Sequence, residues 1–189
     1  MLSSHDALIV VDPQLDFFPG GALGVPGADE ILPAMNRAIR VFAERGLMVV
    51  VTRDWHPADH CSFTDQGGPW PPHCVRGTSG AELHPGLELP PLFTMVHKAA
   101  TPERESFSDF QGTGLGGYLR ARGVRRVFVS GLALDYCVRA TCLDGVDAGF
   151  QVVLLTDGTR AVNVHPEDGD RALAELVAVG VRPLEGVPE

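Results

Sequence analysis

Several things are scarce in this sequence, and each scarcity removes a class of protein. No stretch approaches the roughly 18 consecutive apolar residues of a membrane-spanning helix. Met1 to Asp6 hold no lysine or arginine, and the apolar run Ala7–Val11 is too short for the core of a secretory signal. Positive charge is sparse, and the formal net charge is -9. The nearest approach to a basic cluster is Arg120, Arg122, Arg125 and Arg126, which reads as a solvated helix end. Binding a phosphate backbone needs clustered Lys and Arg, so a general nucleic-acid binder is excluded. Cysteines number only four: Cys61, Cys74, Cys137 and Cys142. Cys137 and Cys142 lie five apart on a predicted helix and face different ways. Reactive, metal-bound or buried thiols are therefore expected rather than a disulfide framework. No repeat or low-complexity tract is visible. The expectation is a soluble, cytoplasmic protein with no nucleic-acid or membrane partner.

What is present suits a globular enzyme. The 189 residues predict one domain over 1–189, long enough to bury roughly 70% of the surface of the unfolded chain. Hydrophobic residues at 44% and charged residues at 21% exclude disorder, collagen and coiled coil. Along the chain, strand and helix patterns alternate. Ala7–Val11 is a continuous apolar run, as in a strand covered on both faces. Ile31–Arg45 has helical spacing with Gly46 as its stop. Strands follow at Leu47–Thr52 and Leu92–Val96, separated by a Pro- and Gly-rich stretch over 55–91. A loop that long is usually functional. Helix Gly114–Arg122, strand Arg126–Ser130, helix Asp135–Ala148, strand Gln151–Thr156, helix Glu167–Val179 and an edge strand Val181–Leu184 complete the pattern. This predicts an α/β fold of three αβα layers around a mostly parallel sheet of about six strands.

Ligands bind such sheets beyond the carboxyl ends of the strands. Asp12 follows the first strand, Asp54 and His56 the second, Lys98 the third, Cys137 the fourth and Asp157 the fifth. A cysteine at a helix N-terminus meets unpaired N–H groups that stabilise a thiolate and hold an oxyanion. Cys137 is thus a nucleophile or a buried, inert thiol. A carboxylate such as Asp12 can take the thiol proton and pass it to a leaving amine. Lys98 can hold that carboxylate ionised. Asp54, His56 and His73 offer oxygen and nitrogen ligands suited to zinc, and also to iron or manganese. His60, Cys61, His73 and Cys74 form a rival set for structural zinc. Phe17 and Trp70 can wall a flat aromatic ligand or serve the core.

These residues resemble those of the nicotinamidase/pyrazinamidase family of isochorismatase-like cysteine hydrolases. The matching stretches are Val11-Asp12-Pro-Gln14-Leu-Asp16-Phe17, Thr52-Arg-Asp54-Trp-His56-Pro-Ala-Asp-His60, Trp70-Pro-Pro-His73-Cys74, His97-Lys98 and Gly131-Leu132-Ala133-Leu-Asp135-Tyr136-Cys137. The resemblance implies a catalytic triad of Asp12, Lys98 and Cys137, and metal ligands Asp54, His56 and His73. His60 matches a ligand in only some members. It also implies an oxyanion hole from the N–H groups of Ala133 and Cys137, and a cis peptide between Leu132 and Ala133. The implied pocket is formed by Phe17, Trp70, Leu132 and Tyr136. The substrate would be a small aromatic amide, nicotinamide, hydrolysed to the acid and ammonia beside one divalent ion, zinc first. Such an activity belongs to pyridine-nucleotide (NAD) salvage, and a homo-oligomer is left open. Tyr136 stands where some members have His, and Thr101–Ser108 is longer than in some relatives. The alternatives are another small-amide amidase of the same superfamily, a metal-hydroxide hydrolase with Cys137 as spectator, and a non-catalytic binding protein.

Overall fold

The computed structural model describes residues 1–188; Glu189 lies outside the described residues. Six strands form one sheet in the order β3-β2-β1-β4-β5-β6, and every pairing is parallel. The strands are β1 (Asp6–Val11), β2 (Met48–Asp54), β3 (Thr94–Lys98), β4 (Arg126–Leu132), β5 (Gln151–Arg160) and β6 (Arg182–Leu184). The helices are α1 (Leu32–Glu44), α2 (Leu115–Ala121), α3 (Arg139–Asp147) and α4 (Asp168–Ala178). The mostly parallel sheet expected from the alternation is thus wholly parallel.

Strand β1 shows why the sheet is a middle layer. All six of its residues are buried. Ala7, Ile9 and Val11 pack with Leu115, Leu119, Val138 and Leu176 on the face covered by α2, α3 and α4. Leu8 and Val10 pack with Ile31, Met35, Ile39 and Phe42 on the α1 face. Side chains of a strand alternate between faces, so burial on both gives a continuous apolar run. Helix α1 buries Met35, Ala38, Ile39 and Phe42, the spacing of a single helical stripe. It stops at Gly46, whose φ of 64° a residue with a Cβ adopts only under strain.

Three elements differ from their sequence-based expectation. Strand β3 starts at Thr94 and ends on Lys98, two residues later than the apolar pattern indicates, and Leu92 is 89% exposed. Pro90 and Pro91 supply no N–H to a ladder, so pairing begins beyond them. Strand β5 runs on to Arg160 across a register shift opposite Val129 and Gly131. Asp157 therefore lies within that strand, paired with Arg37 at 3.1 Å and away from the site. The helix expected over Asp135–Ala148 opens with a wide turn, Leu134–Val138, in which Val138 N–H reaches the carbonyl of Ala133 at 3.1 Å.

The chain moves outward from β1 to β3 and then returns to place β4 on the other side of β1. This reversal opens a crevice between β1 and β4 at their carboxyl ends. Gly131 permits the close approach there: a Cβ would meet the Val11 carbonyl oxygen at 2.1 Å, and its φ is 126°.

Candidate active site

Register assembles the site. Asp54 pairs with Lys98 across β2 and β3, and Val11 pairs with Gly131 across β1 and β4. Asp12 leaves β1 with a φ of 45°. Among the described non-glycine residues with left-handed backbone, Cys74 (46°) adjoins His73 and Ala99 (49°) adjoins Lys98. Each such conformation costs about 1–2 kcal/mol for a residue with a Cβ, and such outliers cluster where a side chain must be aimed. The peptide between Leu132 and Ala133 is cis, as the resemblance implies.

Lys98, the chain's only lysine, is the hub. Its Nζ lies 2.8 Å from Asp12 Oδ2 and 3.3 Å from Cys137 Sγ, and also donates to Asp54 Oδ1. Its side chain is fully enclosed, which alone would lower its pKa. The carboxylates of Asp12 and Asp54 reverse that and hold it an ammonium well above the ordinary range. Burial raises Asp12 to about 6, against the pull of Lys98 and with a further push from Asp54. Burial also pushes the Cys137 thiol well up, with Lys98 opposing. The resting pair is therefore an uncharged thiol beside a carboxylate of moderate basicity, which suits proton transfer on substrate binding.

Asp54, His56 and His73 bring one ligand atom each within 4.8 Å of one another, and all three are buried. Both ring nitrogens of His56 lack a hydrogen-bond partner, and its Nε2 stands 3.6 Å from Asp54 Oδ2. A buried imidazole without partners is costly unless something else engages it. His73 donates from Nδ1 to the Pro71 carbonyl at 2.8 Å, which leaves Nε2 with its lone pair free. Burial lowers its pKa, so the ring stays neutral as a ligand must. These donors fit a divalent ion. His60 is engaged elsewhere, with Nδ1 2.7 Å from Ser62 Oγ and Nε2 3.0 Å from the Arg104 carbonyl. The rival set with Cys61 and Cys74 is not among the metal-competent groupings of the described residues.

A cavity of about 300 Å³ reaches from Asp54 and His73 to the thiol of Cys137. Phe17, Trp70, Ala133, Tyr136, Cys137 and two of the trio, Asp54 and His73, line it. Trp70 meets Tyr136 edge-on at 5.3 Å, and Phe17 lies 5.9 Å from the His73 ring. Leu132, expected in the pocket, instead sits in the core with Leu8, Val10 and Phe128, on the face of β4 that packs against α1, and is not among the cavity-lining residues.

Several contributors escape the sequence reading. Glu105 and Phe107 also line the cavity, from the segment flagged only for its length. Gln14 clamps the backbone of Asp54: its Nε2 donates to the Asp54 carbonyl and its Oε1 accepts the Asp54 N–H, both at 2.8 Å. Thr52 Oγ1 donates to Asp12 Oδ1 at 2.9 Å and accepts the Asp12 N–H at 3.2 Å. Asp16 accepts the Cys74 N–H at 2.7 Å, which pins the loop behind His73.

Comparison with known proteins places the chain among amide hydrolases and their relatives. The chain is 40% identical over 195 residues to a nicotinamidase of Escherichia coli, covering 92% of each protein. Its fold matches a pyrazinamidase of Pyrococcus horikoshii solved in complex with zinc, with a TM-score of 0.92 and 49% identity over 96% of this chain and 99% of that one. A protein of L. infantum in complex with nicotinate matches with a TM-score of 0.88 and 41% identity, covering 96% and 93%. The isochorismatase domain model matches residues 6–185, a span that includes all six strands, and the chain therefore belongs to the isochorismatase family.

Proposed function

We propose that this protein is a nicotinamidase, hydrolysing nicotinamide and pyrazinamide to the corresponding acid and ammonia through a thioester on Cys137. One observation carries the reading: a single buried ammonium touches both a carboxylate, at 2.8 Å, and a thiol, at 3.3 Å, and that thiol lines the cavity that Asp54 and His73 also line. The E. coli and P. horikoshii relatives act on such amides by name.

Asp54, His56 and His73 would hold one divalent ion, zinc by the precedent of the P. horikoshii protein, and a bound ion would supply a Lewis acid that helps to orient the substrate ring. Phe17 and Trp70 flank the ring. Asp12 takes the proton of Cys137, and the sulfur attacks the carboxamide carbon, forming the C–S bond. The oxygen, now negative, rests on the N–H groups of Ala133 and Cys137. The C–N bond breaks as Asp12 returns the proton to the departing nitrogen, which leaves as ammonia. Water then attacks the thioester carbon and gives a proton to Asp12. The C–S bond breaks, Cys137 regains the proton and the acid departs. Lys98 remains an ammonium throughout and offsets the charge on Asp12 and on the sulfur. A nucleophilic thiol suits a reducing, cytoplasmic setting.

The test is ammonia release from nicotinamide and pyrazinamide by the wild-type protein and by Cys137→Ala, with metal content measured on both. Turnover should vanish in the variant while bound metal is unchanged. Substantial turnover by Cys137→Ala would overturn the thiol route and favour attack by metal-bound hydroxide.

A further inference from the structure

His97 directly precedes Lys98 on β3, and the mechanism above leaves it unused. It forms one cluster with Arg53, on β2, and Trp55, just beyond β2. The rings of His97 and Trp55 stack, with centroids 5.0 Å apart and planes 23° from parallel. The Arg53 guanidinium carbon lies 3.9 Å from the centre of the Trp55 ring. Arg53 Nε donates to His97 Nε2 at 2.9 Å, and Arg53 Nη1 stands 3.8 Å from Glu82 Oε2. A guanidinium only donates, so His97 Nε2 accepts and the ring is neutral.

We propose that Arg53, Trp55 and His97 form an outer clamp on the ends of β2 and β3, and that His97 is the positioning residue through which this clamp holds Lys98 against Asp12 and Cys137. This rests on the reading of Lys98 as the ammonium that serves those two groups. Register comes first. Arg53 pairs with His97 and Asp54 pairs with Lys98, so the two rungs are consecutive. Side chains alternate along a strand, which sends neighbouring rungs to opposite faces. Asp54 and Lys98 are buried in the site, whereas Arg53 and Trp55 are half-buried and His97 is exposed. The clamp is therefore the outer face of the same strand ends that carry the site on their inner face.

The place of Lys98 in the sheet explains why a clamp is needed. β3 is an edge strand of five residues, paired only with β2, and Lys98 is its last residue. Element ends open most readily, yet a reacting constellation must be held to within about 0.5 Å. One backbone bond secures this end from β2, the Trp55 N–H donating to the Lys98 carbonyl at 3.0 Å. The next residue, Ala99, already turns away with a φ of 49°. The clamp adds a side-chain tie across the same two strands. Trp55 joins the two layers of contact, because its N–H holds Lys98 while its ring holds His97. Ring stacking and a guanidinium over an indole both resist sliding of β3 along β2.

Two variants and one chemical probe test this, at a temperature where circular dichroism shows each variant folded. His97→Ala should lower kcat for nicotinamide about 10- to 100-fold, the effect of displacing a reacting group by up to about 1 Å, with KM and metal content unchanged. His97→Phe keeps a flat ring on Trp55 and should recover kcat to within a few-fold of wild type. Iodoacetamide modification of Cys137, read by peptide mass mapping, should slow severalfold in His97→Ala. The thiolate is the reactive form, and the cation that favours it would no longer stand 3.3 Å from the sulfur. A general loosening of the fold would instead expose this buried thiol and speed its modification. Wild-type kcat in His97→Ala, modification as fast as wild type or faster, or no recovery in His97→Phe each overturns the proposal. If His97→Ala does not fold, Arg53→Met removes the bond to His97 and should show the same slowing of turnover and of modification. If the wild-type protein does not hydrolyse nicotinamide, the reading of its function fails, and the modification rate alone decides the clamp.

Discussion

Strand β1 carries an acid near each end, and the two have opposite fates. Asp6, at the amino end, receives Arg126 Nε on Oδ1 at 2.8 Å, and on Oδ2 an Arg126 guanidinium nitrogen at 2.7 Å and the Ser3 N–H at 2.6 Å. Burial would raise its pKa, but Arg126 and Ser3 outweigh that and hold it below the usual carboxylate range. Asp12, just past the carboxyl end, is more deeply enclosed, shares its one cation with Asp54 and is raised to about 6. One strand thus delivers one carboxylate whose needs are met and one whose needs are left open. The first is built to stay ionised and hold chain together. The second can change protonation state near neutral pH, which is what the proposed acid–base role requires.

Neutralising each acid separates these roles most sharply. Asp12→Asn should cut kcat/KM for nicotinamide by about 10²- to 10⁴-fold, the range for a positioned acid–base group. Its melting temperature should not fall, because removing one of two carboxylates that share a single ammonium leaves no unpaired cation. A variant that loses both activity and stability would show that Asp12 is an ordinary structural ion-pair member and erase the contrast with Asp6.

The metal trio offers the next test. His56→Ala removes the ligand whose two buried nitrogens have no other partner. Bound divalent metal should fall to substoichiometric levels, and kcat/KM should drop at least about 10- to 100-fold, the effect of disturbing even an outer-shell group. His60→Ala should retain its metal, because the His60 nitrogens are already engaged by Ser62 and Arg104. Loss of metal in the His60 variant would mean that the ring turns inward to join the site.

How far the sequence discloses all this depends on whether a signal is local. The strands are legible because burial on both faces writes itself into consecutive residues, as in Ala7–Val11. Asp12, Lys98 and Cys137 are legible because each sits at a strand end or in the turn just beyond one, and the fold brings strand ends together whatever the intervening loops do. Gln14 is not, because its importance lies in a contact across a chain distance that no local pattern encodes. Gln14 grips a backbone 40 residues away, and Thr52 meets Asp12 over the same separation. Leu92 and Asp157 mislead for a different reason. The apolar pattern gives no notice that two prolines delay pairing on β3, or that a register shift carries β5 past its apolar run.

Acidity probes the same comparison with a smaller effect. Asp12 must be ionised to accept the Cys137 proton. With Asp12 raised to about 6, kcat/KM should be flat above that pH and fall roughly tenfold per unit below it. A carboxylate like Asp6 would give no such break until far lower pH. A profile that stays flat down to pH 4 would show that the burial of Asp12 does not govern its protonation.

The smallest effect belongs to the amino end and touches stability alone. A carboxyl whose folded pKa is depressed contributes stability above its unfolded value, about 3.9, and loses it as pH falls through the folded one. Asp6→Asn should therefore cost about 1–3 kcal/mol at pH 7, the range for hydrogen bonds to a charged group, and the deficit against wild type should shrink below pH 4. Arg126 is partly exposed, with a quarter of its side chain open to water, so solvent screening sets the result toward the lower end. Turnover of nicotinamide should be unchanged, because β1 separates Asp6 from the site by its whole length. A drop in kcat without a drop in stability would mean that the two ends of β1 are coupled and that the division of labour between its acids does not hold.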